Sequence, residues 1–344
     1  MSRYLLTLFG LSLMMLFCSC AMTFPRAAET GNSAQIQALL HKGAPVDQMG
    51  GFMNETALII ASRHGNLGIV KTLLKAGADI NARSKYGDTA LTAATSFCHP
   101  NVAEFLLENG AEVNVKNYGY GSTPLMLAVG CGDLAIVKAL ISKGAHVNEK
   151  NKKGMTALIP ASAKGRTEIV QSLLDAGATL EETWEKGGTA LYESALQGQD
   201  AIVQMLITKG ANINYRSRHN GWTPLMIAVA EGHATTAVIL LESGVEVNIS
   251  NNKGRTALMF AAWYGNNEIT KMLLKYGANT NIIPNDDEGI TALMAATFKG
   301  YQEIVKMLLK SGADPNLKNK QGKTALSHAN ENIGKLLREA GAKD

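Results

Sequence analysis

The residues best suited to acid–base, nucleophilic or metal chemistry are the seven histidines and four cysteines. No histidine belongs to an H-E-x-x-H pattern and no cysteine to a C-x-x-C pattern, the spacings that bring zinc ligands together. The chain also lacks a G-x-S-x-G nucleophile turn and a G-x-x-x-x-G-K-S/T phosphate loop. We therefore expect no enzyme activity, no metal site and no cofactor.

The cysteines fall into two pairs with different roles. Cys18 and Cys20 belong to the N-terminal segment, whereas Cys98 and Cys131 lie 33 residues apart in the body of the chain. If the protein is exported, the compartment allows a disulfide between Cys98 and Cys131. The other interpretation is a pair of small, half-buried free thiols.

Residues 1–21 have the pattern of an export signal. Arg3 precedes an apolar run over residues 4–17, and no further charge occurs before Arg26. This run has the length of a signal peptide and is short for a membrane span. Three interpretations stay open: a lipoprotein signal that leaves an acylated Cys20, cleavage after Ala21, or an uncleaved anchor. We accordingly predict a protein of the periplasm, a membrane-attached lipoprotein or a secreted protein.

The composition restricts the class of protein. The chain is 46% hydrophobic and 18% charged, which argues against disorder. Its net charge of +4 is small and scattered, so we expect no nucleic-acid partner. Aromatic residues make up only 6%, so Ala, Leu, Ile, Val and Met must form the core, as in thin layers of packed helices.

A threonine followed by Ala-Leu or Pro-Leu recurs along the chain at intervals of 33 to 35 residues. Self-similarity at this period indicates stacked supersecondary units. The recurring residues are Thr56, Thr89, Thr123, Thr156, Thr189, Thr223, Thr256, Thr291 and Thr324.

Each position of this unit has a physical role. The threonine is a good N-cap, and Leu and Ala follow at helical spacing, as in Leu258 and Ala261. A glycine nine residues after the threonine, such as Gly265, ends this first helix in a left-handed turn. A second helix ends at another glycine, such as Gly277, and a polar segment leads on to the next threonine. That segment is predicted to form a projecting hairpin, which we call a finger.

The pattern resembles the ankyrin repeat, which is written around T-P-L-H-x-A-A-x-x-G-H and L-L-x-x-G-A. The resemblance implies an all-α ankyrin-repeat solenoid with short β-hairpin fingers, built from about ten helix-turn-helix units over residues 24–344. The predicted repeats are 24–50, 51–83, 84–116, 117–150, 151–183, 184–216, 217–250, 251–283, 284–318 and 319–344.

The resemblance also implies a binding face, formed by the fingers and the exposed ends of the first helices on the concave side. The chain's scarce large aromatic residues fall on these positions, which is typical of binding hot spots. The predicted partner-binding residues are Tyr86, Phe97, Tyr120, Trp184, Trp222, Trp263, Tyr264 and Phe298.

These observations predict a monomeric, non-enzymatic scaffold of the bacterial envelope that binds a protein. Its only expected contact with the membrane is an N-terminal lipid or anchor. The alternative is a secreted effector that binds host proteins through the same face. Cell fractionation separates the two hypotheses, because only the first keeps the chain in the envelope.

Overall fold

The computed structural model describes residues 23–343 and is almost entirely helical. The predicted signal segment and Cys20 lie outside the described residues. The chain divides into two compact units, residues 1–152 and residues 153–344, which we call unit 1 and unit 2. Each unit is described by itself below.

Both units repeat one arrangement, in which a short first helix, a tight turn and a nine-residue second helix follow one another. In unit 1 the helices are α1 (Phe24–Glu29), α2 (Ser33–His41), α3 (Ala57–Arg63), α4 (Leu67–Lys75), α5 (Ala90–Ser96), α6 (Pro100–Glu108), α7 (Pro124–Cys131) and α8 (Leu134–Ser142). In unit 2 they are α9 (Leu158–Ala163), α10 (Thr167–Asp175), α11 (Ala190–Leu196), α12 (Asp200–Thr208), α13 (Pro224–Ala230), α14 (Ala234–Glu242), α15 (Ala257–Tyr264), α16 (Asn267–Lys275), α17 (Ala292–Lys299), α18 (Gln302–Lys310), a 3₁₀ helix (Ala325–His328) and α19 (Glu331–Glu339).

The recurring threonine begins the first helix of the repeat, as its residue type predicts. The Thr223 hydroxyl accepts a hydrogen bond from the Met226 N–H, and Thr291 accepts one from Met294. Pro160 shortens the first helix of the repeat that begins at Thr156. A proline has no N–H to donate to the Thr156 carbonyl four residues earlier, so α9 begins at Leu158.

The core of each unit lies where successive helices of the same kind stack. First helices pack on first helices, such as α13 on α15 and α15 on α17, and second helices pack on second helices. In α15 every residue from Ala257 to Ala262 is buried, because this helix has neighbours on both sides. In α16 only one face is buried, at Ile269, Thr270 and Leu273. This difference explains why the first helices are rich in alanine, which allows close approach, whereas the second helices are amphipathic.

The fingers are turns, which differs from the short β-hairpins that we expected. Among residues 23–343 the only strand-like pairing is a single bridge between Gly50 and Glu55. The finger at Asn251 shows the reason. A backbone hydrogen bond from Asn251 N–H to Arg255 C=O closes it, and the Asn251 side chain accepts from the N–H groups of Lys253 and Arg255. The Asn252 N–H donates instead to the Asn220 carbonyl of the preceding finger. The amides of so short a segment are therefore bonded outside a ladder between its own two sides.

A second set of asparagines links each repeat to the next. The Asn281 carboxamide accepts a hydrogen bond from Asp314 N–H at 2.8 Å and donates one to Gly312 C=O at 2.9 Å. Asn114 makes the same two bonds in unit 1, to His146 N–H and Gly144 C=O. These side chains satisfy backbone groups in the turn that ends the following second helix, so each one joins two consecutive repeats.

Replacing Asn281 by alanine is expected to lower the free energy of unfolding by about 1–2 kcal/mol, because two backbone groups of the next repeat lose their partner. Asn281→Asp should lose less, since a carboxylate still accepts from the Asp314 N–H. Urea unfolding followed by circular dichroism measures both, with Lys271→Ala on the exposed side of α16 as the control. An unfolding midpoint of Asn281→Ala equal to that of the control would show that water replaces this link without cost.

Candidate functional site

Three aromatic side chains in unit 2 form a continuous surface, which we call the aromatic patch: Trp263, Tyr264 and Phe298. Trp263 and Tyr264 are the last two residues of α15, and Phe298 occupies the matching place near the end of α17. The Trp263 and Phe298 rings are nearly parallel, at 13°, with centroids 6.1 Å apart. Tyr264 is 56% exposed and Phe298 is 57% exposed, whereas Trp263 is half-buried.

The stacking of repeats holds the patch in place. The 3₁₀ helix of the following repeat brings the His328 ring against the edge of Phe298, with centroids 5.8 Å apart at 83°. The Lys299 ammonium lies 4.2 Å from the centre of the Trp263 ring, which is a cation–π contact. Three consecutive repeats therefore contribute one ring each to the row Trp263, Phe298 and His328.

A cavity of about 280 Å³ lies on each side of Trp263. The first is lined on its apolar side by Met259, Phe260, Ile290 and Ala295 together with the two rings that end α15. The second lies between Trp263 and Phe298 and also contains Met294 and His328. Trp263, Glu288 and Ile290 border both cavities, so the two form adjacent sockets along one face of unit 2.

The finger before α17 gives the sockets a charged rim. Arg255 donates from Nε to Asp286 Oδ2 at 2.6 Å, and its Nη2 lies 3.9 Å from Glu288 Oε2. Burial tends to raise the pKa of Asp286, but the Gly289 N–H and Arg255 outweigh it and hold that pKa below its ordinary value. Asp286 thus stays ionised and fixes the finger, while the largely exposed Glu288 carboxylate extends over the sockets.

The structure places two predicted binding residues of unit 2 in half-buried positions. The Trp222 ring packs on Phe260 of α15 with centroids 4.4 Å apart. Trp184 donates from Nε1 to the Glu193 carboxylate at 2.8 Å. Glu193 is itself buried, and burial raises the pKa of its carboxyl in spite of this hydrogen bond. Both tryptophans are therefore half-buried, whereas Tyr264 and Phe298 keep more than half of their area in solvent.

The remaining predicted binding residues, Tyr86, Phe97 and Tyr120, lie in unit 1 and are all exposed. The Arg63 guanidinium lies 5.9 Å from the centre of the Phe97 ring, and Lys85 lies 5.8 Å from that of Tyr86. The unit 1 residues do not share a cavity of the kind found beside Trp263. Among the predicted binding residues, Trp263, Tyr264 and Phe298 line cavities, so we take the aromatic patch of unit 2 as the candidate site.

Cys98 and Cys131 form a disulfide in unit 1, with Cα atoms 5.6 Å apart. Cys131 is the last residue of α7, and Cys98 lies in the turn between α5 and α6. Cys98 has a φ of 61° and occupies the slot that other repeats give to glycine, such as Gly265 at φ 76°. The bond therefore joins two consecutive repeats at a position where a side chain strains the backbone.

Two histidines link backbone segments of consecutive repeats. His99 donates to the Arg63 carbonyl at 2.7 Å, and His233 to the Leu196 carbonyl at 3.1 Å, each from its Nε2. Residues 23–343 contain no cluster of three His, Cys, Asp or Glu side chains placed to hold a metal ion. In the same range, no helix has the length and apolar character needed to cross a bilayer.

Glu288 and Ile290 flank the glycine of a finger two residues longer than most, a position that assigns them to the predicted binding face, although they are not among the predicted partner-binding residues. Phe260 was not predicted to lie there, because an aromatic residue inside a first helix is expected in the core.

Comparison with known proteins agrees with this architecture. The family model described as "Ankyrin repeats (3 copies)" matches residues 25–117, 115–183, 191–283, 245–319 and 283–343. The crystal structure of the human ASB11 ankyrin repeat domain is similar, with a TM-score of 0.57 and 27% identity, over 65% of this chain and 100% of that domain.

Curated relatives match smaller parts of the chain. The neurogenic locus notch homolog protein 1 of Mus musculus is 34% identical over 142 residues, which is 39% of this chain and 6% of the mouse protein. The putative palmitoyltransferase ZDHHC13 of Danio rerio is 36% identical over 102 residues, which is 30% of this chain and 16% of that protein. The matches thus cover only a small part of each relative's length. The activities of those whole proteins are therefore not assigned to this chain.

Proposed function

The chain belongs to the ankyrin repeat family, and on that premise we propose that it is a non-enzymatic scaffold of the bacterial envelope that holds a protein partner on its concave face. Ankyrin repeats generally mediate protein–protein interaction. The observation that carries the proposal is the aromatic patch with its two sockets.

The chemistry of the patch favours a protein partner. Exposed aromatic rings beside preformed apolar cavities are typical of binding hot spots, and hydrophobic area of this kind is costly to leave in water. Two adjacent sockets of about 280 Å³ suit two large apolar side chains of one partner segment. The Glu288 carboxylate above them would pair with a basic residue of that segment.

The test compares two baits. Envelope extract is passed over the immobilised chain and over a variant with Tyr264→Ser and Phe298→Ser. A protein that the original chain retains and the variant releases supports the proposal, whereas equal retention by both baits places the binding elsewhere.

The envelope location rests on the N-terminal segment and on the disulfide. The apolar run over residues 4–17 has the length of an export signal. The bond between Cys98 and Cys131 supports export, because disulfides persist in the periplasm and outside the cell. A lipid on Cys20 would attach the chain to the membrane.

Replacing Cys20 by alanine is expected to release the protein from the membrane fraction, because the acylated thiol is lost. Quantitative blotting of membrane, periplasmic and medium fractions measures the change, with Cys18→Ala as a control that removes a thiol two residues away. If Cys20→Ala stays on the membrane, acylation is excluded and an uncleaved anchor is favoured. Appearance of the unaltered chain in the medium would favour the secreted effector.

A further inference from the structure

The first finger of unit 1 has an unusually apolar surface. It carries Phe52, which is 82% exposed, between Met49 and Met53, which are each 42% exposed. Several other fingers bear charged side chains at their tips, such as Lys152 and Lys153 or Asp287 and Glu288. We call Met49, Phe52 and Met53 the apolar finger.

The described chain begins beside this finger. Thr23 lines the same cavity of about 430 Å³ as Phe52 and Met53. Only two residues separate Thr23 from Cys20, and an extended chain spans about 3.3–3.6 Å per residue. A lipid on Cys20 would therefore hold Thr23 within about 10 Å of the membrane surface. Residues 4–17 retained as an anchor would hold it within about 20 Å.

Basic groups accompany the exposed rings. The Lys85 ammonium lies 5.3 Å from the centre of the Phe52 ring and 5.8 Å from that of Tyr86. Arg26 lines the cavity next to the finger. Segments with apolar side chains flanked by Lys or Arg bind membranes at the boundary between headgroups and acyl chains. The cations there lie next to lipid phosphates.

We propose that the apolar finger docks on the surface of the membrane that holds the N-terminus, with Phe52, Met49 and Met53 in the interface and Lys85 at the headgroups. A single acyl chain gives weak and reversible attachment, so a second contact of this kind strengthens it. The finger would also orient unit 1 with its first repeat towards the lipid. The proposal rests on the membrane attachment proposed above and is independent of the partner site in unit 2.

The experiment uses the full chain with vesicles of phosphatidylethanolamine and phosphatidylglycerol. Hydrogen peroxide oxidises accessible methionines, and mass spectrometry follows Met49 and Met53, with Met126 of α7 as an internal control. We expect both finger methionines to oxidise at least about fivefold more slowly on vesicles than in solution, because the interface covers them, while Met126 changes little.

Two results would overturn the proposal. Rapid oxidation of Met49 and Met53 in both states would show that the finger stays in water. Slow oxidation in both states would show that another part of the chain, such as residues 4–17, covers it.

Substitution provides a second readout. Phe52→Ser with Met53→Ser should reduce the fraction of chain that sediments with vesicles after a high-salt wash by several-fold, whereas Phe97→Ser with Tyr120→Ser, which removes two exposed rings elsewhere in unit 1, should not. Equal retention of the two variants contradicts the proposal. Partner capture by the Phe52 and Met53 variant should be unchanged, so failure of the membrane contact and failure of the partner site remain distinguishable.

Discussion

Partner binding is expected to weaken by at least about 100-fold when Tyr264 and Phe298 are replaced together by serine, since hot-spot rings contribute about 2 kcal/mol or more each. Both rings keep more than half of their area in solvent in the free protein. Their removal should therefore leave the free energy of unfolding within about 1 kcal/mol of the original. Calorimetric titration with the captured partner measures the first quantity, and thermal unfolding the second.

The control for this double variant is a ring outside the aromatic patch. Tyr276→Ser removes a half-buried ring at the end of α16, a second helix, and should leave binding unchanged. Trp222 is left in place because its ring packs on Phe260, so its loss would weaken folding as well as binding. Full affinity in the Tyr264 and Phe298 double variant would exclude the aromatic patch as the partner site.

Opening the disulfide is expected to produce the largest change in stability. Replacing Cys131 by serine should lower the free energy of unfolding of unit 1 by about 3–4 kcal/mol, because a bond between residues 33 apart restricts the unfolded chain. Urea unfolding of the variant, with and without a reducing agent, measures this effect. Reduction should destabilise the original chain and leave the variant unchanged.

A second variant separates the lost bond from the strained turn. Cys98 keeps its positive φ when the bond is absent, and a side chain there costs about 1–2 kcal/mol relative to glycine. Cys98→Gly combined with Cys131→Ser should therefore recover about 1 kcal/mol of the loss. If reduction leaves the unfolding midpoint of the original chain unchanged, the bond does not form in solution, and its support for an exported protein is withdrawn.

Local chemistry made most of the fold predictable. The threonine that caps a first helix and the glycine that ends it act within about ten residues, as Thr291 and Gly300 illustrate. Pro160 delayed the start of α9 for an equally local reason. The fingers were predicted less well. A β-ladder and a side chain such as Asn251 can bond the same backbone N–H groups, and hydrogen-bond geometry decides which of them does so.

The amino-acid sequence by itself determined the repeating unit, its two helices and the aromatic character of the predicted binding positions, since these depend on residue type and short-range spacing. Only the tertiary structure decided which rings meet. Trp263 and Phe298 are 35 residues apart, and they touch because stacking places equivalent positions of successive repeats side by side. Stacking likewise buried part of Trp222 and Trp184, left Tyr264 and Phe298 in solvent, and formed the sockets beside Trp263. Contact and burial depend on the side chains of the neighbouring repeat, and the sequence of one repeat does not contain that information.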